Sequence, residues 1–291
     1  MRKSVNIHSH AVVHPGAFLG KDVKIGPFCV VEDDVVLGDG CVLESNVAIK
    51  SGTTLGPNNH VFEGAVIGGL PQHVDVPEIP GRVTVGSGNT IRENATIHRA
   101  LKETDETSVG DNCMLMINTH IAHDCRIGNH VIAANNTMLA GHVTVGDRAN
   151  LSGAVAVHQY CRIGSLAMVG GQAHIVKDVP PFMTVDGLSS LVVGLNRIGL
   201  RRAGFSAESL HTLKEAYRIL YRRRLSWREI LQMLEETFTE GPALEMSRFL
   251  ATTTRGITNE RRQPEGATIK LHDAKPLSRD EGPAKLKVTA S

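Results

Sequence analysis

Aliphatic side chains recur at every sixth residue along most of the chain. The series runs Ile7, Val13, Leu19, Ile25, Val31, Leu37, Leu43, Ile49, Leu55, Val61 and Ile67 without a miss. It breaks after Gly68-Gly69, returns at Val85, Ile91 and Ile97, and breaks again. From Val109 it continues through Leu115, Ile121, Ile127, Ala133, Leu139, Val145, Leu151, Val157, Ile163, Val169 and Ile175, and it fails at Pro181. A period of six matches neither a helix nor an ordinary half-buried strand. It predicts a stack of short parallel strands, each burying one aliphatic per hexad against the next layer. Gly often follows the aliphatic, as in Leu19-Gly20, Ile127-Gly128 and Ile163-Gly164. Gly, Asn and Asp suit the corners between strands, where they adopt positive φ with little penalty.

The fifth position of the hexad takes small side chains, such as Ala11, Ala17, Val23, Thr119 and Thr137. Cys29, Cys41, Cys113, Cys125 and Cys161, all the cysteines of the chain, fall on it. An odd count without a CxxC pair argues against a metal or redox centre and for thiols packed as small apolar groups. The breaks at 69–84, with Pro71, Pro77 and Pro80, and at 99–108 read as loops thrown out from the scaffold. Long loops on rigid scaffolds tend to carry function.

Beyond Pro180-Pro181 the period shifts to that of a helix. Leu210, Leu213, Tyr217, Leu220 and Tyr221 form one face. Ser226-Trp227-Arg228-Glu229 predicts a capping box opening a helix through Ile230, Leu231, Leu234 and Phe238. Pro242 opens another, with Leu244, Phe249 and Leu250. The expected organisation is a repeat domain over 1–187, a helical domain over 188–257, and a polar, disordered tail over 258–291.

Charge narrows the partners. Thirty-one basic and 30 acidic side chains leave a net +1, which gives no reason to expect nucleic acid. No apolar run approaches the roughly 18–20 residues that span a bilayer. The N-terminus lacks the apolar stretch of a signal peptide, so the expected setting is cytoplasmic. Aromatics at 4% and 29 glycines suit a narrow, regular core.

The hexads resemble those of the hexapeptide-repeat acyltransferases. That resemblance implies a left-handed parallel β-helix, three hexads to each triangular coil, against the usual right-handed crossover. On such coils His123, His142 and His158 lie on neighbouring layers along one edge. A lone surface His is ordinarily a solvated polar residue, but three along one edge suggest a site. Neutral imidazole is a natural base for a hydroxyl proton. A three-histidine zinc site, as in hexapeptide-repeat carbonic anhydrases, finds no clear ligand set. His120 and His123, three apart, emerge on different faces or near a corner.

Longer stretches make the resemblance specific. Ile117-Asn118-Thr119-His120-Ile121-Ala122-His123-Asp124-Cys125, Leu139-Ala140-Gly141-His142-Val143 and Ala156-Val157-His158-Gln159 are similar to the signature of the UDP-N-acetylglucosamine acyltransferases of lipid A biosynthesis. So are Ile91-Arg92-Glu93, Thr96-Ile97-His98-Arg99, Asp178-Val179-Pro180-Pro181 and, in the helical region, Leu200-Arg201-Arg202 and Gly204-Phe205-Ser206. The match spans about residues 5–257. It implies acyl transfer from acyl carrier protein to the sugar 3-hydroxyl, with His123 as general base and the Gly141 N–H as oxyanion donor. Asp124 would orient His123, a role weakened by neighbours on a strand pointing apart. Gln72, His120, His142, His158, Gln159, Asn196 and Arg202 would hold the nucleotide sugar, and Gly171 would lie along the groove that measures the acyl chain. The bland reading of Gly171 is a tight coil corner. The resemblance implies a homotrimer and no metal or redox cofactor. Arg197, Arg201, Arg202 and Arg222-Arg223-Arg224 form either solvated helix surface or a basic rim for the acidic carrier.

Several positions depart from the family. His73 stands where an Asp is usual and Asp75 where a Lys is usual. Leu188-Ser189 replaces an Asn-His pair, Ile198 a Glu, and Ala203 a second Arg. Such changes in a recognition shell alter preference. Two alternatives therefore stay open: acylation of a different nucleotide sugar or amine, and a non-catalytic binding protein of the same fold.

Overall fold

The computed structural model describes residues 5–261. Each hexad becomes a short strand that ends on its aliphatic. Lys24 of Lys24–Ile25 is exposed while Ile25 is buried, and the same contrast holds at Arg126–Ile127 and Met138–Leu139. The strands stack into three sheets of 11, 9 and 8 strands, parallel except for the last strand of the first. Ile25 faces Leu43, Leu43 faces Val61, and every third hexad returns to the same face. The result is the left-handed parallel β-helix that the resemblance implied.

Both interruptions are absorbed at corners, with only a local bulge at Gly68 before the register resumes. Val61 pairs with Ile91 across the first loop, and Ile91 pairs with Leu115 across the second. Most corners turn on a residue with positive φ, three places after the aliphatic. Asn and Asp are frequent there, but Arg148, Tyr160 and Leu166 hold the conformation too. A non-glycine residue there costs roughly 1–2 kcal/mol, which the flanking ladders offset. The five thiols are free and buried inside the prism, as their hexad position predicted. Each S–H meets a carbonyl one coil on, as Cys125 does with Ala140 at 3.2 Å.

The C-terminal end is closed by Phe182, fully buried and tilted against Phe205. The chain then turns back in an antiparallel strand, Val192–Leu195, and enters four helices: α1 (Arg197–Arg202), α2 (Ala207–Arg222), α3 (Trp227–Thr237) and α4 (Gly241–Ala251). The capping box predicted at Ser226 and Glu229 is formed, and Pro242 sits in the first turn of α4. Leu213, Leu220, Ile230, Leu234 and Leu250 make the helical core. Arg162 ties this domain to the prism. It pairs with buried Asp178 at 2.7 Å, donates to the Phe249 carbonyl and lies over the Phe249 ring.

The expected tail boundary at 258 falls too early. Thr258 is buried, Val192 bridges to Glu260, and the Glu260 carboxylate pairs with Arg222 at 2.6 Å and accepts from the Tyr217 hydroxyl. A stretch without apolar periodicity is held here by polar anchors, which a hydrophobic pattern does not register. The rest of the expected tail, from 262 on, lies outside the described residues.

Candidate active site

One corner of the prism builds the site. Asp124, His142 and Tyr160 occupy the positive-φ position on three successive coils, with φ of 60°, 61° and 64°. His123, Gly141 and Gln159 are the residues just before them. The expected stacking along one edge is present: the His123 and His142 rings meet edge to face at 5.2 Å, and His142 stacks on Tyr160 at 4.5 Å. His158 lines the same groove.

The doubt about Asp124 is resolved by its backbone. Left-handed φ at the corner breaks the alternation of a strand and turns the carboxylate alongside its neighbour. His123 Nδ1 and Asp124 Oδ2 are 2.7 Å apart. A carboxylate only accepts, so Nδ1–H donates, and the lone pair of neutral His123 is left on Nε2. The second loop fixes the carboxylate in turn. Leu101 N–H donates to Asp124 Oδ2, and the Asp124 N–H donates to Thr107 Oγ1. His123 is only 7% exposed, so it is packed into the wall of the prism rather than a solvated surface histidine.

Gly141 is small because His123 lies against it. A Cβ there would fall 2.5 Å from His123 Cε1 and 2.7 Å from Nε2, closer than side chains tolerate. Its N–H makes no hydrogen bond among the described residues, which leaves a donor beside the His123 imidazole.

A groove of about 710 Å³ runs from this corner across one face of the prism. Gln72, His120, His123, Gly141, His158 and Gln159 line it, together with Met138 and Ala156. The first loop folds over its end, and His73 sets its ring perpendicular to that of His123 at 5.7 Å. His98 secures this loop, donating from Nδ1 to the Leu70 carbonyl at 2.6 Å. Burial lowers the pKa of His120, His98 and His142; in His142 the Asp124 charge opposes the shift and that of His123 adds to it. All three therefore favour the neutral, hydrogen-bonding form.

Three of the expected residues lie elsewhere in the single chain. Asn196 and Arg202 line a separate groove of about 490 Å³ on another face, with Arg148, Met168 and Ile198. Asn196 also caps α1, accepting from the Gly199 N–H. Gly171 sits at a corner beside Ser152 and Gly153 and does not line the histidine groove. Of the residues that position the site, His98 stood out only as part of a family-like stretch, and Leu101 and Thr107 carried no signal beyond lying in the second interruption of the hexad.

Residues 178–258 match the family described as UDP N-acetylglucosamine O-acyltransferase, domain 2, and residues 16–51 and 106–141 match the bacterial transferase hexapeptide repeat. The chain is 44% identical over 253 residues to an acyl-[acyl-carrier-protein]–UDP-N-acetylglucosamine O-acyltransferase of Halorhodospira halophila, covering 86% of this chain and 98% of that one. It is also 44% identical over 257 residues to the protein of that name from Paraburkholderia phymatum, with the same coverage. Among solved structures, the UDP-N-acetylglucosamine acyltransferase of Francisella novicida superposes with a TM-score of 0.85 at 37% identity, covering 91% of this chain and all of that one. The Acinetobacter baumannii structure gives 0.84 at 35% identity, over 87% and 99%. With identity and fold agreeing over nearly the whole length of these relatives, the chain belongs to the acyl-[acyl-carrier-protein]–UDP-N-acetylglucosamine O-acyltransferase family.

Proposed function

We propose that the chain transfers an acyl group from acyl carrier protein to the 3-hydroxyl of UDP-N-acetylglucosamine, the first acyl transfer of lipid A biosynthesis. The observation that carries the mechanism is the His123–Asp124 pair, which leaves the Nε2 lone pair facing the groove beside the Gly141 N–H. His123 Nε2 takes the hydroxyl proton as the oxygen attacks the thioester carbonyl. The Gly141 N–H donates to the developing oxyanion, a contact commonly worth about 2.7–4 kcal/mol. Collapse forms the ester and breaks the carbon–sulfur bond, and the imidazolium returns its proton to the leaving thiolate. Asp124 holds the tautomer and stabilises the imidazolium. The base, donor and nucleophile complete this cycle, so the reading assigns it no metal or redox cofactor.

Gln72, His120, His142, His158 and Gln159 surround the place where the sugar would lie. Asn196 and Arg202 complete it in a homotrimer whose neighbouring copy presents the second groove, with Arg202 as the phosphate partner. No helix among the described residues is long and apolar enough to cross a membrane. The reading places the enzyme in the cytoplasm, where its carrier-bound donor is made. A second reading, a different acceptor, is favoured by His73, whose ring meets His123 where the family's carboxylate is usual.

The test incubates the purified full chain with acyl carrier proteins bearing chains of several lengths and with either UDP-N-acetylglucosamine or its 3-amino analogue. Mass detection of an O-acylated sugar supports the first reading. Strong preference for the amine supports the second, and no product with either acceptor defeats both.

A further inference from the structure

Three metal-ligating side chains converge at the base itself. His123, Asp124 and His142 each offer one atom, and these atoms lie within 4.8 Å of one another. Asp124 Oδ2 is 2.7 Å from His123 Nδ1 and 3.8 Å from His142 Nε2. Ligands about 2.0–2.1 Å from a tetrahedral zinc ion stand ~3.3 Å apart. Seating an ion among them would therefore shift the two Asp124 distances by about half an ångström each and close the imidazole nitrogens, which lie within 4.8 Å, by at most ~1.5 Å. Two imidazoles and one carboxylate suit a borderline transition metal far better than magnesium, which prefers oxygen alone. His142, with 32% of its side chain exposed, gives the ion its entry. His73 closes over His123, and Asp105 adds negative charge near His142.

We propose that a zinc-class divalent ion binds His123, Asp124 and His142 and switches the transferase off. The inhibitory part rests on the function proposed above; the binding does not. A neutral imidazole has one lone pair. If the ion takes His123 Nε2, the base is occupied outright. If it takes Nδ1, the ring proton moves to Nε2 and that nitrogen can no longer accept one. Either way the hydroxyl keeps its proton and no ester forms. Competition from the protein's thiols is weak. All five are buried, and desolvation pushes Cys113 up to about 11, whereas the thiolate is the form that binds metal.

The test is a cobalt(II) titration of the EDTA-treated full chain without substrates, read by visible absorption. The expected result is a tetrahedral nitrogen–oxygen spectrum without thiolate charge transfer, saturating at one ion per chain and abolished by zinc. His142→Gln and Asp124→Asn should each weaken it by about tenfold or more. Transfer by the wild type should fall with copper and zinc, less with cobalt, still less with manganese and not with magnesium, and EDTA should restore it. A featureless titration, or a spectrum that both variants retain, overturns the site. A chain that binds cobalt but transfers nothing defeats the acyltransferase reading and leaves the site standing. A chain that transfers unhindered in zinc defeats the inhibitory ion alone.

Discussion

His123 and Asp124 are neighbours in sequence, yet their side chains meet at 2.7 Å because Asp124 turns the coil with a φ of 60°. The corner thus makes from two consecutive residues an imidazole–carboxylate pair of the kind that other folds assemble from distant segments. Asp124→Asn should be severe: an amide that donates would move the imidazole proton to Nε2. Steady-state turnover should fall by about 10²–10⁴, with KM for the sugar nucleotide changed only a few-fold. His123→Ala should fall as far, and the double variant no further, since the two act as a unit. Because His123 is packed against Gly141, its alanine variant should also lose about 1–2 kcal/mol in denaturant melts. Turnover of Asp124→Asn within a factor of three of wild type would end the orienting role.

Gly141 permits a discriminating pair of substitutions. Gly141→Ala places a methyl 2.5 Å from His123 Cε1, so either the imidazole or the coil must shift. Gly153→Ala, at a corner where the nearest atom is 3.6 Å away, is its control. Transfer should drop at least about tenfold in the first, the loss expected when a base moves by a fraction of an ångström or more, and stay near wild type in the second. Equal activity in both would show that the close approach of Gly141 and His123 is irrelevant to the chemistry.

The parts of this molecule that repeat were readable before any coordinates. One aliphatic per hexad set the strands, the small fifth position set the interior thiols, and the failure at Pro181 marked the end of the prism. What escaped were relationships that depend on corner geometry and long-range polar contacts. Alternation along a strand argued against Asp124 facing His123, and only a left-handed corner reverses that. Residues 258–261 have no apolar face, yet Glu260 docks through Arg222 and Tyr217. His73 was noticed only as a departure; its position over His123 depends on how the first loop folds, and His98 fixes that fold through the Leu70 carbonyl.

The polar docking of 258–261 predicts a sharp length dependence. A chain ending at Arg261 keeps the contacts of Glu260, whereas one ending at Ile257 strips the partner from Tyr217 and the carbonyl that accepts from Tyr221. Burial already pushes both phenols upward, so neither hydroxyl can ionise to compensate. The shorter chain should lose about 1–3 kcal/mol, seen as a lower melting temperature, while the chain ending at Arg261 melts with the full-length protein. Coincident melting of all three would mean that the docked segment contributes nothing.

Three half-buried histidines give stability a pH dependence of definite sign. Desolvation lowers His98, His120 and His142 below the usual 6.5 in the folded chain. Between those values and 6.5 the unfolded chain binds more protons, so stability rises with pH. The contribution is complete above 6.5 and is lost as pH falls through the folded values. Urea midpoints should therefore decline on acidification below 6.5, and His120→Gln should flatten that decline. A variant whose midpoint follows the wild-type slope throughout would remove His120 from the effect.

The acyl chain supplies the last prediction, through Gly171. Its φ is not left-handed, and a Cβ there would meet the Gly153 carbonyl at 3.2 Å and Ser152 Cβ at 3.8 Å. The coil can therefore admit a side chain by yielding a few tenths of an ångström, and Gly171→Met should fold. The residue is exposed at a corner, outside the histidine groove of its own chain. If the acyl chain runs along the prism from His123 and ends at this corner, methionine fills the space for its last carbons. Each methylene excluded from an apolar groove forfeits about 0.8 kcal/mol, so a donor two to four carbons too long should lose roughly one to two orders of magnitude in kcat/KM. Shorter donors should be untouched, and the preferred length should shift downward. Competing acyl carrier proteins of mixed chain length, followed by mass detection, read the shift directly, with melting curves alongside. A well-folded Gly171→Met enzyme that keeps the wild-type length preference would leave Gly171 as a corner residue only, and the chain would then be measured elsewhere on the prism.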